Sequence, residues 1–475
     1  MRASDIAALV EDDRVHRDLY LSEELFGLEQ QHFFANTWNY FGHTSQVPNA
    51  GDYFALTLAG RPLVMLRQGD GSIRVLHNRC AHKGTQLVAD GSGHAGRLLR
   101  CPYHAWTYKL DGTPLGVPLK SGYEGTRLAQ CESGQGLEAV KHVAVFRDFV
   151  FVKLNDAGPG FEAYFGEALR ALDNLVDRSP AGRLRIAGGC LRSIVRCNWK
   201  MVFENINDTV HPMSTHESAT VAARKVWQHG DEVPKPMAME QILPFGAGYD
   251  FFEGMGGRVY ANGHSVLGTR FSIHSGYATL PGYEAAMRTA YGSERAAEIL
   301  QRAPQNAVLY PALALKGSPQ AIRVIRPLAV DRTLIEAWAF RIEGAEGSEG
   351  DEGNKRDERS KGDEGTRVAG GAPAWPDVLL QRGLTYNRLV FSPMSVVAHD
   401  DLQLFERMQR GLRAGHQPWV SLHRGFEPAE LETRSEGTRE VGGTNELLMR
   451  NQFRAWVKFM TLDFPDRQPP VESTR

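Results

Sequence analysis

The chain has 475 residues, a formal net charge of -2 and a pI near 6.8, with 42 % hydrophobic residues. That length builds two or three domains with real cores, and the balanced charge offers no basic excess for nucleic acid and no polybasic tract for a membrane surface. No apolar run reaches the roughly 18 residues of a spanning helix, and Met1-Arg2-Ala3-Ser4-Asp5 lacks the apolar core of a signal peptide. Among the five cysteines, Cys131, Cys190 and Cys197 are scattered, which suits a reducing compartment, the cytoplasm, rather than a disulfide framework.

Residues 1–36 read as helical. Ser22 is suited to cap a helix with Glu23 and Glu24 in its first turn; Leu25, Leu28 and His32 fall on one face, which Phe33 and Phe34 close. The expected role of these helices is packing on a later domain. From Thr37 the period becomes that of strands, and residues 37–157 are expected to form a small all-β domain. Strands at 62–67 and 72–77 join through Gln68-Gly69-Asp70-Gly71, a hairpin signal. Asp111-Gly112 marks a further turn, and strands at 142–146 and 149–154 pair across Arg147-Asp148.

Two loops of this domain carry metal-ligand chemistry. Cys80-Ala81-His82 is followed, eighteen residues later, by Cys101-Pro102-Tyr103-His104. Two thiolates and two imidazoles hold either a tetrahedral zinc or a two-iron cluster. Zinc fingers usually pair Cys with Cys and His with His. Here each loop mixes the types, which suits a Rieske [2Fe–2S] centre with both Cys on one iron and both His on the other. Exchanging two thiolates for neutral imidazoles makes such a cluster less negative and raises its potential. Gly84 permits close backbone approach and Pro102 stiffens the second loop. The stretch 78–84, together with 101–106, resembles the Rieske domain of ring-hydroxylating oxygenases. It departs at Lys83, where Arg is usual, and at Ala105, where Gly is usual; neither change removes a ligand.

Gly158-Pro159-Gly160 marks a domain boundary, followed by a helix over 161–177 and a strand over 192–196. The run from Asn198 to His216 has the apolar spacing of a buried helix. Asp208 and His211, three apart, share a helical face. Pro212 biases His211 away from helical geometry, so a bend there brings His216 back toward His211. Two imidazoles plus a carboxylate from elsewhere make the facial triad of non-haem Fe(II) oxygenases, with three positions left open. Alone, this motif reads more simply as satisfied core histidines; its place about a hundred residues after the Cys/His loops changes that reading.

The two motifs in this order, with Asn198-Trp199-Lys200 and Glu204-Asn205, resemble the α subunits of Rieske non-haem iron oxygenases over nearly the whole chain apart from one insertion. The resemblance implies that Cys80, His82, Cys101 and His104 hold the [2Fe–2S] cluster and that His211 and His216 hold a mononuclear Fe(II). It implies that Asp208 links the two centres, hydrogen-bonding His104 of a neighbouring subunit and the iron ligand His211. Because the two centres of one chain lie too far apart, it also implies a head-to-tail homotrimer, alone or with a small β subunit (α3β3). Val210 departs from the frequent Tyr, which bears on pocket shape.

Further on, Phe251-Phe252, Tyr260, Val324 and 335–340 suggest antiparallel strands. Pro281-Gly282 and Gly317-Ser318-Pro319 mark turns, and 283–302 reads as a helix. The resemblance, not periodicity, makes 158–475 a helix-grip catalytic domain. The expected fold class is therefore α+β: a small all-β Rieske domain plus an antiparallel sheet wrapped on helices. Residues 343–371, rich in Gly, Glu, Asp, Lys, Arg and Ser, cannot offset their ordering entropy by burial and read as a disordered surface insert. Residues 389–397 look strand-like, and a helix is expected over 402–413 with Gly415 just past its end. In the resembling family the third iron ligand arrives at the head of such a helix, shortly before a Gln-x-Gly element. Here that element is Gln409-Arg410-Gly411, and counting back favours Asp400 over Asp401. The simpler role for either is a helix N-terminal charge. A last amphipathic helix is expected over 444–460.

The implied activity is that of a terminal oxygenase component in aromatic compound catabolism. Electrons would come from NAD(P)H through a separate ferredoxin or flavin reductase, since no dinucleotide-binding fingerprint is evident. With O2 it would hydroxylate an aromatic small molecule by cis-dihydroxylation or monohydroxylation; O- or N-demethylation is the alternative. Phe203, Val210, Phe391 and Val397 are the pocket candidates. Two other classes compete: a Rieske electron carrier with a non-catalytic binding domain, and a lipid-binding module with structural zinc. The intact Asp208, His211 and His216 set argues against the carrier.

Overall fold

The computed structural model describes residues 1–126, 136–229, 233, 235–274, 280–344, 374–431 and 438–463. All but the first two residues of the 343–371 insert lie outside the described residues. Three small antiparallel sheets make up the Rieske-like part. One orders Ile73–His77, Arg61–Arg67, Asp52–Leu58 and Gly91–His94; the second, Leu98–Arg100, Thr107–Lys109 and Pro114–Gly116; the third, His142–Phe146, Phe149–Lys153 and Asn39–His43. The last hairpin turns on Arg147 and Asp148, at φ 50° and 69°. Two left-handed residues give a two-residue turn the twist of its flanking strands. Val64, Leu66, Leu99, Trp106 and Tyr108 form an apolar cluster with Cys80 and Cys101 beneath the two ligand loops.

The second part is organised on an eight-stranded antiparallel sheet. Its order is Leu184–Val195, Arg332–Ile342, Ala321–Ala329, Leu313–Lys316, Asn306–Leu309, Ser265–Leu267, Gly257–Val259 and Arg439–Val441. The edge strand, expected over 192–196 alone, runs twelve residues through a bulge between Ala187 and Cys190. Gly188 and Gly189 supply the bulge at φ 77° and 81°, where side chains are strained. The helices Trp199–Asn207 and Leu447–Thr461 share one core with the sheet, with Trp199, Phe203, Trp456 and Phe459 packed among Ile322, Val324 and Leu313. Among the described residues no helix is long and apolar enough to cross a membrane.

Several further local expectations change. Phe251 and Phe252 lie in a helix, Tyr249–Met255, and residues 387–391 form a π-helical turn rather than a strand. Short apolar runs do not distinguish the two periods, and packing decided. The 283–302 helix is two, Tyr283–Tyr291 and Ser293–Gln301, broken at Gly292 with φ 77°. In the N-terminal segment the inward stripe is Leu25, Glu29 and Phe33, while Leu28 and His32 are only half-buried. Arg14–His16 forms a strand there and pairs with Trp419–Ser421.

His264 is fully buried, and its Nδ1 accepts from the Tyr310 N–H at 3.0 Å while Nε2 donates to the Tyr164 carbonyl at 3.1 Å. Both ring nitrogens are committed in the neutral form, and burial pushes the pKa down to about 3. An unfolded chain protonates this ring near pH 6.5, so the stability it confers is complete above that value and drains away as pH falls toward 3. The expected result is a loss of about 1.4 kcal/mol per pH unit below about pH 6 from this residue. Urea unfolding of wild type and His264→Gln between pH 4 and 7.5 should show a shallower acid slope in the variant. Parallel slopes would remove His264 from the acid sensitivity.

Candidate active site

The first centre lies at the tip of the Rieske-like part. Both cysteines are followed by the same turn: Gly84 N–H donates to the Cys80 carbonyl and Ala105 N–H to the Cys101 carbonyl, each at 3.0 Å. Gly84 takes φ 75° freely; Ala105 takes φ 57°, at a cost of about 1 kcal/mol for a residue with a Cβ. Cys80 and Cys101 are buried, and the His82 and His104 ring centres stand 4.6 Å apart. His82 stacks on Trp106, 5.0 Å away and nearly parallel, which fixes its ring. Burial opposes a Cys101 thiolate, but the backbone N–H groups of His104 and Tyr103, together with the side chains of Cys80 and Thr85, outweigh it and lower the pKa. The Tyr108 hydroxyl lies 3.1 Å from Cys80 Sγ and accepts from the Ala81 N–H. His82 Nδ1 is buried without a partner. Two buried cysteines, one of them Cys101 with its thiolate favoured, and an orphaned imidazole nitrogen fit a cluster bridged between the loops.

The second centre is built at the end of the buried helix Trp199–Asn207. Asn198 caps it, its side chain accepting from the Lys200 N–H at 3.2 Å. The helix stops at Asp208, which is extended at φ -95° and ψ 127°. The change of direction therefore falls at Asp208, whereas His211 keeps helical angles despite the proline after it. A single turn, Pro212–Thr215, then separates His211 from His216 and leaves their rings 5.5 Å apart and nearly perpendicular.

The carboxylate that faces both rings is Asp401; Asp400, which counting back from Gln409 favoured, approaches His216 from behind. One ligand atom each from His211, His216 and Asp401 lies within 4.8 Å of the others. Asp401 Oδ1 is 3.7 Å from His211 Nε2 and 3.5 Å from His216 Nε2. The expected helix at 402–413 begins earlier, at Ala398, so both aspartates sit in its first turn. They point about 100° apart on a helix of 3.6 residues per turn. Asp401 shares the inward face with Phe405 and Gln409, both buried.

Asp400 turns to the rear of His216 instead, its Oδ2 3.6 Å from Nδ1. Asp208 stands in the same relation to His211, 3.6 Å from Nδ1. Each imidazole thus has a carboxylate behind it and faces a shared point in front, as metal-bound histidines do. The Nδ1 atoms of both rings and Asp400 Oδ2 are otherwise buried without partners. Burial drives the His216 pKa below the ordinary histidine value against the pull of Asp401 and Asp400, favouring the neutral ring that a metal requires. Burial opposes ionisation of Asp208, yet His211, the Val210 N–H and Arg424 hold its pKa low. Two imidazoles and one carboxylate on one side of a centre suit a ferrous ion with open positions.

A cavity opens on this centre. Phe391 and Val397 line it, as do Asn205, quoted above for the resemblance, and three residues that sequence reasoning passed over: Phe245, Lys316 and Arg323. Phe203 and Val210 do not; Phe203 lies in the core against Trp199 and Tyr310. The Asn205 amide sits 3.1 Å from His211 Nε2 and 3.3 Å from Asp401 Oδ1. Burial, reinforced by the charge of Arg323, pulls the Lys316 ammonium down to about 7. Lys316 and Arg323 had a sequence signal: each is the one cation on its own face of a largely apolar strand, Arg326 pointing to the opposite face from Arg323.

A Rieske-type loop pair and a two-histidine, one-carboxylate centre beside an aromatic-lined cavity define a Rieske non-haem iron oxygenase. Residues 37–132 match the family model of the Rieske [2Fe-2S] domain, and residues 172–461 that of the ring hydroxylating alpha subunit (catalytic domain), the family to which the chain belongs. It is 30 % identical over 350 residues to the toluate 1,2-dioxygenase subunit alpha of Pseudomonas putida, covering 71 % of this chain and 74 % of that one. With the anthranilate 1,2-dioxygenase large subunit of Acinetobacter baylyi it shares 31 % identity over 344 residues, 70 % and 69 % of the two chains. Its fold matches the crystal structure of a naphthalene 1,2-dioxygenase variant bound to phenanthrene, with a TM-score of 0.72 at 20 % identity over 97 % and 95 % of the chains.

Proposed function

We propose that this chain is the terminal component of an aromatic-ring hydroxylation system, with Cys80, His82, Cys101 and His104 as cluster ligands and His211, His216 and Asp401 as iron ligands. The convergence of His211, His216 and Asp401 at the floor of a cavity walled by Phe245 and Phe391 carries this reading. When bound, the cluster relays single electrons from a reductase and the ferrous centre activates dioxygen reductively. The protein's own residues set the stage. Asp208 and Asp400 orient the two imidazoles, the buried aromatic wall excludes water, and Asn205 borders the open side of the centre. Asp208 is the link between centres: its carboxylate is part-exposed beside His211, and His104 is exposed on the other part of the chain. Both groups reach solvent, as a head-to-tail trimer in which Asp208 meets His104 of the next subunit requires. A cytoplasmic setting, where NAD(P)H and reductase are at hand, completes the reading.

The test is reductase-coupled oxygen uptake by iron-loaded protein over a panel of aromatic hydrocarbons and acids, with the product made under isotopic dioxygen. Two labelled atoms on adjacent ring carbons give dihydroxylation, one gives monohydroxylation, and formaldehyde release gives demethylation. Substrate-independent or absent uptake across the panel would sink the oxygenase reading. Asp208→Ala should keep both metal centres and lose at least about tenfold in uptake; unchanged uptake would remove Asp208 from the electron path.

A further inference from the structure

The cavity is lined by two cations, Lys316 and Arg323, and by the carboxylates Asp208 and Asp401. Lys316 ends the strand Leu313–Lys316, and Arg323 lies in the next one, Ala321–Ala329. Ala314 is paired with Arg323 and Lys316 with Ala321, so Lys316 and Arg323 stand on one face of the sheet as diagonal neighbours. Long side chains meet across that spacing. Both line the cavity above the iron site. The Arg323 guanidinium lies over Phe391, 4.5 Å from the ring centre, and its Nε is buried without a partner. Among the described residues neither side chain forms an ion pair or a hydrogen bond.

The nearby carboxylates are committed elsewhere. Asp401 faces the two imidazoles, though its charge also reaches Lys316 and Arg323; Asp400 faces the back of His216, and Asp208 the Val210 N–H and Arg424. The same sheet treats its other buried arginine differently: Arg326 is paired with Glu336 at 2.8 Å, and Arg192 joins the same carboxylate at 2.9 Å. Two like charges set side by side in a water-poor cavity, with one carboxylate that they share with two imidazoles, weaken the fold unless a further anion arrives to neutralise them.

We propose that Lys316 and Arg323 form an anion subsite that takes the carboxylate of an aromatic acid, holding its ring against Phe245 and Phe391 beside His216. The inference rests on the oxygenase reading for its purpose but not for its measurement. Phe245 is well placed as the wall, its ring 5.5 Å from that of His216. Anchoring the carboxylate on the sheet fixes which ring carbons face the centre, so the pair sets regiochemistry as well as affinity.

The experiment is calorimetric titration of the iron-loaded protein with benzoate and salicylate, each against its neutral amide, in wild type, Lys316→Met and Arg323→Met. Acids should bind wild type at least about tenfold tighter than amides, and each variant should lose about tenfold or more for acids alone, the scale of one charged hydrogen bond. Lys316→Arg should recover most of the loss. Without ligand, Lys316→Met should unfold at a higher temperature than wild type, which a structural role for the lysine would not allow. Amides that match acids in wild type overturn the subsite, and that comparison needs no variant. Oxygen uptake with neutral hydrocarbons and no preference for acids sinks the subsite and leaves the oxygenase. Acid binding that depends on both cations, with no uptake from any compound, sinks the oxygenase and leaves the subsite.

Discussion

Asp401→Ala is expected to lose its mononuclear iron while the visible absorption of the cluster stays as in wild type. Asp401 is one of three side chains that converge within 4.8 Å, and an alanine leaves two neutral imidazoles with no charge to balance a dication. Oxygen uptake should fall by more than about a hundredfold, beyond the range of residues that only orient ligands. Asp400→Asn is the matched control. It touches His216 from behind at 3.6 Å, so it should lower iron affinity or uptake by about 10- to 100-fold without emptying the site. Iron analysis and uptake on the two variants decide between them. Iron retained in Asp401→Ala and lost in Asp400→Asn would reverse the assignment.

Glu29→Gln is expected to destabilise the catalytic part by about 3–5 kcal/mol. Glu29 is 1 % exposed and Lys200 2 % exposed, and the two form a buried ion pair. The same carboxylate accepts from Trp199 Nε1 at 2.9 Å and from Trp456 Nε1 at 2.8 Å. One side chain thereby ties the N-terminal segment to the iron-site helix and to the C-terminal helix. The ammonium also donates to the Leu19 carbonyl at 2.7 Å. Burial lowers the Lys200 pKa, and the Glu29 charge works to restore it. Removing that charge strands an ammonium where water cannot reach it, whereas removing both partners does not. Glu29→Gln with Lys200→Met should therefore recover most of the loss. Urea unfolding followed by tryptophan fluorescence checks both; a Glu29→Gln midpoint equal to that of wild type would show the pair to be dispensable.

Chemistry that travels in short loops was legible directly. The mixed Cys/His spacing at 80–104 and the two histidines at 211 and 216 lie close in sequence, so a local pattern carries them. The hairpins across 68–71 and 147–148 were equally plain, because turn residues leave local signals. Periodicity alone went wrong where short apolar runs fit both periods, as at Phe251-Phe252 and 389–397. It went wrong differently at Glu29, where a charged residue holds an inward position that no propensity rule would give it.

What the sequence determined by itself is the inventory of candidates: the Cys/His loops, the two histidines and an acidic pair, and an all-β part followed by a larger mixed one. The tertiary structure alone decided which aspartate turns inward, because helix start and face are set by the packing of Phe405 and Gln409 on the sheet and the N-terminal segment. It also decided that Lys316 and Arg323 share a cavity, since their pairing depends on strand register. Distances between elements far apart in the chain are fixed by packing, and a linear pattern does not encode them.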